Sequence, residues 1–150
     1  LETLQLLYMK YTVCRNDPER PFAQVAQEFL AAFDSQPVRK VVIDFRGNGG
    51  GDSSVINPLF EGLQQRQGRL QEGVRAYALI DNGVFSSGMM NAANFSGQRP
   101  FAFVVGEPTG GKPVHFGNVS SLTLPNSRLV ISHSTRFFDS PLKEEAVMPD

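Results

Sequence analysis

A glycine-rich turn between a buried strand and a helix constrains the fold of this chain most. The strand is expected over VRKVVIDF, which ends in the almost unbroken apolar run of a strand covered on both faces. The turn is RGNGGGD, and a helix is predicted from about Ser53 to Gln67. The same order returns in VRAYALI as strand, DNGVFSSG as turn, MMNAANF as short helix and FAFVV as the next strand. Alternating strands and helices predict an α/β fold with a mainly parallel sheet.

Two flanking segments complete the predicted architecture. After Pro21, apolar residues recur at helical spacing and predict an amphipathic helix that packs on the sheet: Phe22, Val25, Ala26, Phe29, Leu30 and Phe33. Near the end, SSLTLPNSRLVISHSTRF holds two β-rich segments joined by a turn-forming Pro-Asn-Ser. The fold predicted is therefore a mainly parallel sheet flanked by helices, with a C-terminal antiparallel hairpin.

Composition limits the classes of partner. The chain has 150 residues and a net charge of −1, so it suits one domain and carries no broad attraction for nucleic acid. No apolar run approaches the roughly 18 residues of a membrane span, so no membrane insertion by this segment is expected. Cys14 is the lone cysteine, which excludes an internal disulfide. We expect residues 1–150 to be a single domain cut from a longer protein.

One segment imitates a nucleotide-binding loop. VVGEPTGGKP places Gly106, Gly111 and Lys112 where the pattern G-x-x-x-x-G-K-S/T has its glycines and lysine. That pattern needs a hydroxyl after the lysine for magnesium, and backbone N–H groups that open a helix. Pro113 supplies neither, so nucleotide binding is the least favoured function.

Three loops start at the carboxyl ends of predicted strands, where open α/β sheets bind ligands: RGNGGGD, DNGVFSSG and GEPTGGKP. In the first, Asp52 or Ser53 could simply cap the next helix. Its glycines could equally let a backbone N–H approach a reacting oxygen, as an oxyanion hole requires. In the second, Ser86 could be an N-cap or a nucleophile whose oxyanion is held by the Ser87 N–H at the helix start.

A nucleophilic serine needs a base, and few candidates exist. His133 alternates with Ile131 in a predicted strand and is interpreted as structural. His115 lies three residues beyond Lys112 on the same loop, so a Ser/His pair stays open. A lysine has an ordinary pKa of about 10.4, so Lys112 could act near neutrality only in a site that removes water from it.

Taken in order, VVIDFRGNGGGD, ALIDNGVFSSGMMNA and VVGEPTGGKP followed by LPNSRLVISHSTRFF resemble the C-terminal processing peptidases, or tail-specific proteases. The closest likeness is to an uncharacterised bacterial branch of these Ser/Lys peptidases. The resemblance implies a crotonase/Clp-protease-like fold and a serine-type endopeptidase that acts on peptides or proteins in the periplasm or cell envelope, without cofactor or metal. It matches Ser86 to the nucleophile and Lys112 to the base. It matches the N–H groups of Gly50 and Ser87 to the oxyanion hole.

Some residues depart from the family pattern. Phe85 stands where a small residue is usual, Met89 where a glutamate is usual, and Phe116 where a glutamine often orients the lysine. The departures at Met89 and Phe116 motivate a second hypothesis, a peptide-binding or scaffold module of the same fold whose dyad has decayed. Asp44 and Arg46 are interpreted as a structural hydrogen-bonding pair that shapes the first loop.

Overall fold

The computed structural model of the protein describes residues 5–97, 101–139 and 146–150. Its strands are β1 Leu6–Lys10, β2 Lys40–Asp44, β3 Arg75–Ile80, β4 Ala102–Gly106, β5 His115–Thr123 and β6 Val130–Phe138. Its helices are α1 Phe22–Ser35, α2 Asn57–Gln65, α3 Gln67–Gln71 and α4 Ser86–Ser96, with a 3₁₀ turn over Ser53–Ile56.

Strands β1 to β4 form one parallel sheet in sequence order. Val42 of β2 lies opposite Tyr77 of β3, and Ala76 of β3 lies opposite Ala102 of β4. The predicted mainly parallel α/β sheet is therefore confirmed. Strand β1 was not predicted, because only Met9 of its five residues LLYMK is buried and the segment therefore shows no buried apolar run.

The helices cover the sheet as their apolar spacing requires. Helix α1 was predicted, and it buries Phe22, Ala26, Phe29, Leu30 and Phe33. The helix expected from Ser53 to Gln67 is divided instead. The chain forms a 3₁₀ turn first, and α2 begins at Asn57 with Pro58 in its first turn, where the missing proline N–H has no cost.

The C-terminal hairpin is confirmed as antiparallel. Ser120 pairs with His133, and Phe116 pairs with Phe137. Most side chains of β5 and β6 are exposed, and only the strand ends near His115 and Phe138 approach the body of the domain. Across the described ranges, no helix has the length and apolar character needed to span a bilayer.

Candidate active site

The three loops at the carboxyl edge of the sheet meet in the structure. The Phe85 N–H donates to the Asn48 carbonyl at 2.9 Å, which joins the second loop to the first. The Gly110 N–H donates to the Val84 carbonyl at 3.1 Å, which joins the third loop to the second. Backbone hydrogen bonds therefore fix all three loops around the start of α4.

Ser86 is the first residue of α4 and has a left-handed backbone, with φ of +50°. A serine rarely adopts this conformation, which is concentrated at functional sites. The N-cap position is held by Phe85, and no side chain caps the helix. The N-cap alternative for Ser86 is thus not observed, and its hydroxyl has no hydrogen-bond partner in the described part of the chain.

The glycine loop lies directly against Ser86. At Gly50, with φ of +107°, an added Cβ would stand 2.8 Å from the Ser86 Cβ and 3.0 Å from the Ser87 nitrogen. Only glycine allows this approach. The Gly50 N–H itself donates to the Asn48 Oδ1 at 2.9 Å.

Ser87 ties the start of α4 to the same loop. Its Oγ donates to the Gly51 carbonyl at 2.6 Å, and the residue is buried. Its N–H lies in the first turn of α4, where no intrahelical acceptor exists. No described residue accepts a hydrogen bond from this N–H, so it is available to a ligand.

A cavity of about 290 Å³ opens beside Ser86 and Ser87. Its wall also includes His115 from β5 and residues of the glycine loop, α4 and the hairpin: Gly51, Asp52, Ser53, Met90, Asn118, Arg136 and Phe138. The structure therefore brings His115 to the same cavity as Ser86. Lys112 does not line it.

Lys112 is exposed on the loop after β4. The preceding residue, Gly111, packs on the nucleophile turn, since a Cβ there would lie 2.7 Å from the Phe85 ring. The backbone of this loop is therefore close to Ser86. The Lys112 amine makes no hydrogen bond or ion pair with any residue that the structure describes.

His115 is half-buried and held from two sides. Its Nδ1 lies 3.2 Å from the Pro113 carbonyl, an acceptor that favours the tautomer with hydrogen on Nδ1. Its ring stacks on Phe138 with centroids 5.1 Å apart. That tautomer leaves Nε2 with a free lone pair. His133 lies instead on exposed β6, away from the cavity.

Asn48 is a site residue that the sequence reasoning missed. It is fully buried, and its Nδ2 donates to the Tyr11 carbonyl at 2.7 Å while its Oδ1 accepts from Gly50. Its own carbonyl accepts from Phe85, so one side chain and its backbone connect the glycine loop to the nucleophile turn. An asparagine in a turn often bonds the backbone two residues ahead, and this was the available signal.

The remaining polar groups of the first loop are structural. Arg46 binds Asp44 through two bonds, of 2.9 Å from Nε and 2.7 Å from Nη2. The Arg46 hydrogen bond lowers the pKa of buried Asp44 to about 2, against the effect of desolvation. Asp52 accepts a hydrogen bond from the Ser54 N–H at 2.9 Å and so caps the 3₁₀ turn, which agrees with the capping role offered for Asp52 in the sequence analysis. Among the described residues, no three His, Cys, Asp or Glu side chains converge as metal ligands.

Comparison with known proteins gives one family. The model of peptidase family S41 matches residues 6–140. No curated protein sequence matches the chain.

Three solved structures share the fold at identities too low to show more than the fold. The C-terminal processing protease of photosystem II D1 has a TM-score of 0.63 at 16% identity, over 97% of this chain and 41% of that one. A candidate peptidase of Parabacteroides merdae has a TM-score of 0.66 at 16% identity, and the match covers 97% of this chain and 53% of that one. A lipoprotein from Streptococcus agalactiae has a TM-score of 0.57 at 12% identity, and the match covers 97% of this chain and 60% of that one. The chain thus spans between 41% and 60% of these proteins.

Proposed function

Because the chain belongs to peptidase family S41, we propose that it hydrolyses peptide bonds as a serine-type endopeptidase with Ser86 as nucleophile. The observation that carries this proposal is the position of Ser86, at φ +50° on the first residue of α4 with an uncommitted hydroxyl. The adjoining cavity offers the Ser87 N–H to a developing oxyanion. The substrate class is a peptide or protein.

The chemistry follows from these groups. The Ser86 Oγ bonds to the carbonyl carbon of the substrate while a base removes its proton, and the carbonyl oxygen becomes an oxyanion. The C–N bond then breaks, and the base returns that proton to the leaving amine. A water molecule then attacks the acyl carbon and gives a proton to the same base. The bond between that carbon and the Ser86 Oγ breaks, the base returns the proton to Oγ, and the acid leaves with the Ser86 hydroxyl restored.

Lys112 is the first candidate for the base, by its match to the family's dyad. The support is the packing of its loop on the nucleophile turn, through the Gly110 N–H bond to Val84 and the contact of Gly111 with Phe85. Its exposure means that a bound peptide would have to cover the amine and remove water from it. Only such removal of water would favour the neutral form of the amine, which is the form that can accept a proton.

His115 is the second candidate, and one observation favours it. It lines the same cavity as Ser86, and the Pro113 carbonyl orients its ring so that Nε2 can accept a proton. In the conformation described, His115 lines the Ser86 cavity and Lys112 does not.

Labelling with a fluorophosphonate tests the nucleophile. The full-length protein should gain one adduct that peptide mapping locates on Ser86. The matched control, Ser96→Ala at the other end of α4, should label equally. A folded protein that hydrolyses peptides but carries no label on Ser86 would exclude the proposal.

Two substitutions distinguish the bases. If Lys112 acts, Lys112→Ala loses most activity and Lys40→Ala does not; if His115 acts, His115→Gln loses it and His133→Gln does not.

A catalytically decayed peptide-binding or scaffold module is the competing proposal, favoured by the exposure of Lys112. It expects the wild-type protein to bind peptides in the Ser86 cavity and to hydrolyse none. An extracytoplasmic location is proposed from the family resemblance alone, and fractionation of the source cells tests it.

A further inference from the structure

We propose that Arg136 makes the Ser86 cavity select substrates that carry an acidic side chain close to the cleaved bond. The inference rests on the proposed serine peptidase function and names the kind of substrate that this site favours. It starts from a guanidinium that lines the same cavity as the nucleophile and has no acidic partner in the described part of the chain.

Arg136 faces the cavity because of its position in the hairpin. It lies opposite Gly117 of β5 and two residues before Phe138, so Arg136 and Phe138 project from the same face of the hairpin. Phe138 lies opposite His115, and the side chains of Arg136, Phe138 and His115 all belong to residues that line the cavity. One face of the hairpin is therefore turned towards Ser86, and Arg136 gives that face a permanent positive charge.

Stacked rings hold the Arg136 side chain in place. Its Cζ lies 4.7 Å from the centroid of the Phe138 ring, which in turn stacks on His115 with centroids 5.1 Å apart. The stack needs glycine at position 117, since an added Cβ there would lie 3.1 Å from the Phe138 Cε2. A cation–π contact uses no hydrogen bond, so it orients the guanidinium and leaves its N–H donors available.

Those donors are uncommitted. Among the residues that the structure describes, none forms a hydrogen bond or an ion pair with the Arg136 side chain. Arg46 differs, because its Nε and Nη2 both donate to Asp44. Arg136 can therefore offer a substrate carboxylate the two parallel N–H bonds that Arg46 gives to Asp44.

The cavity also has a negative charge, which belongs to Asp52 in the glycine loop. The Asp52 Oδ1 accepts from the Ser54 Oγ at 2.7 Å and from the Ser54 N–H at 2.9 Å, and these bonds lower the pKa of Asp52. No ion pair joins Asp52 to Arg136. An acidic group of the substrate is therefore repelled by the glycine loop and attracted to the hairpin, which fixes its orientation in the cavity.

The size of the cavity limits where that acidic group lies in the substrate. A compact space of about 290 Å³ is about 7 Å across, and an extended chain advances about 3.3–3.6 Å per residue. The carboxylate bound by Arg136 therefore lies within about two residues of the bond that Ser86 attacks. Inside a long chain no terminal carboxylate lies so near, and the group is the side chain of Asp or Glu.

Cleavage-site mapping with the full-length protein tests the inference. The probe is a proteome-derived peptide library whose cut sites are identified by mass spectrometry. We expect Asp or Glu to be enriched at one fixed position close to the cut, and Arg136→Gln to abolish the enrichment. Arg128→Gln removes the same charge from the turn of the same hairpin, outside the cavity, and should keep it. Cleavage without an acidic preference, or with one that Arg136→Gln retains, would overturn the inference and leave the proposed peptidase function intact.

Synthetic peptides based on the best-cleaved sequence measure the effect. They are N-acetylated and C-amidated, and they carry Glu, Gln or Lys at the selected position. The wild-type kcat/KM should be about 10-fold or more higher for Glu than for Gln. Arg136→Gln should remove that ratio, Arg136→Glu should favour Lys over Glu, and Arg136→Lys should keep part of the ratio because it keeps the charge without the bidentate geometry. If Arg136 only supported the Phe138 stack, all rates would fall together and the ratio would persist, which would refute the inference.

Two further arms separate the remaining outcomes. Peptides with a free C-terminal carboxylate are compared with their amides, and a preference that followed the free terminus instead of the side chain would overturn the assignment. A protein that cleaves none of the library would refute the proposed function. Charge selection is then read from the peptides that the immobilised wild-type protein retains: acidic enrichment that Arg136→Gln loses sustains the role of Arg136, and its absence refutes that role.

Discussion

Three neighbouring glycines offer a graded test of how the loop is built against the nucleophile. Gly49 has neither a positive φ nor any atom within 4 Å of an added Cβ. Gly47 has a φ of +75° with open space around it, and Gly50 combines a φ of +107° with contacts of 2.8 Å to the Ser86 Cβ and 3.0 Å to the Ser87 nitrogen. Alanine at the three positions therefore separates backbone strain from steric overlap.

The magnitudes follow from the two causes. Gly49→Ala should stabilise the fold by about 0.4–1 kcal/mol, because alanine reduces the entropy of the unfolded chain. Gly47→Ala adds a left-handed penalty of about 1–2 kcal/mol and should be destabilising by about 1 kcal/mol net. Gly50→Ala adds overpacking of about 1–3 kcal/mol, for a net loss of about 2–4 kcal/mol.

Urea unfolding followed by circular dichroism measures the free energy of unfolding of all three variants. Peptide hydrolysis should fall in the same order, with Gly50→Ala losing most because its Cβ displaces Ser86. Equal stability of the Gly50 and Gly49 variants would refute the close approach of the loop to α4.

Two further predictions concern pH and the Ser87 bond. The pKa of Asp44 is lowered to about 2 in the folded protein by Arg46, so its contribution of about 2 kcal/mol is complete above the unfolded value near 4 and lost as pH falls towards 2. The loss of unfolding free energy between pH 4 and pH 2, measured with urea, should therefore be smaller by about 2 kcal/mol in Asp44→Asn than in the wild type. Ser87→Ala should lose about 1 kcal/mol of stability and also slow hydrolysis, because the Gly51 carbonyl loses its donor. The control Ser96→Ala loses the comparable bond to the Ala93 carbonyl and should hydrolyse peptides at the wild-type rate. Equal rates in the two variants would contradict the role given to Ser87.

Local periodicity was enough to predict most of the fold. The spacing from Phe22 to Phe33 specified α1, and the apolar runs specified β2 to β4, because these patterns are local consequences of burial. Strand β1 was missed because an edge strand of five residues, of which one is buried, has no such pattern. The second helix is divided because Pro58 is tolerated only in the first turn of a helix, and α2 accordingly begins at Asn57.

The site was predictable only in part. Sequence order placed Ser86 at a strand-to-helix turn and the glycine loop beside it, since parallel strands end at one edge. The orientation of Lys112 and His115 depends instead on contacts between distant residues, such as the approach of Gly110 to the Asn82 carbonyl, where a Cβ would be 2.2 Å away. The role of Asn48 likewise depends on Tyr11, 37 positions earlier in the sequence.

The rate of peptide hydrolysis by the Ser86→Ala variant tests the account most directly. With wild-type folding verified by circular dichroism, kcat/KM should fall by at least about 10³-fold, since removal of a serine nucleophile abolishes the acyl-enzyme route. The Ser96→Ala protein should keep the wild-type value. Hydrolysis by Ser86→Ala at the wild-type rate would show that the nucleophile lies elsewhere.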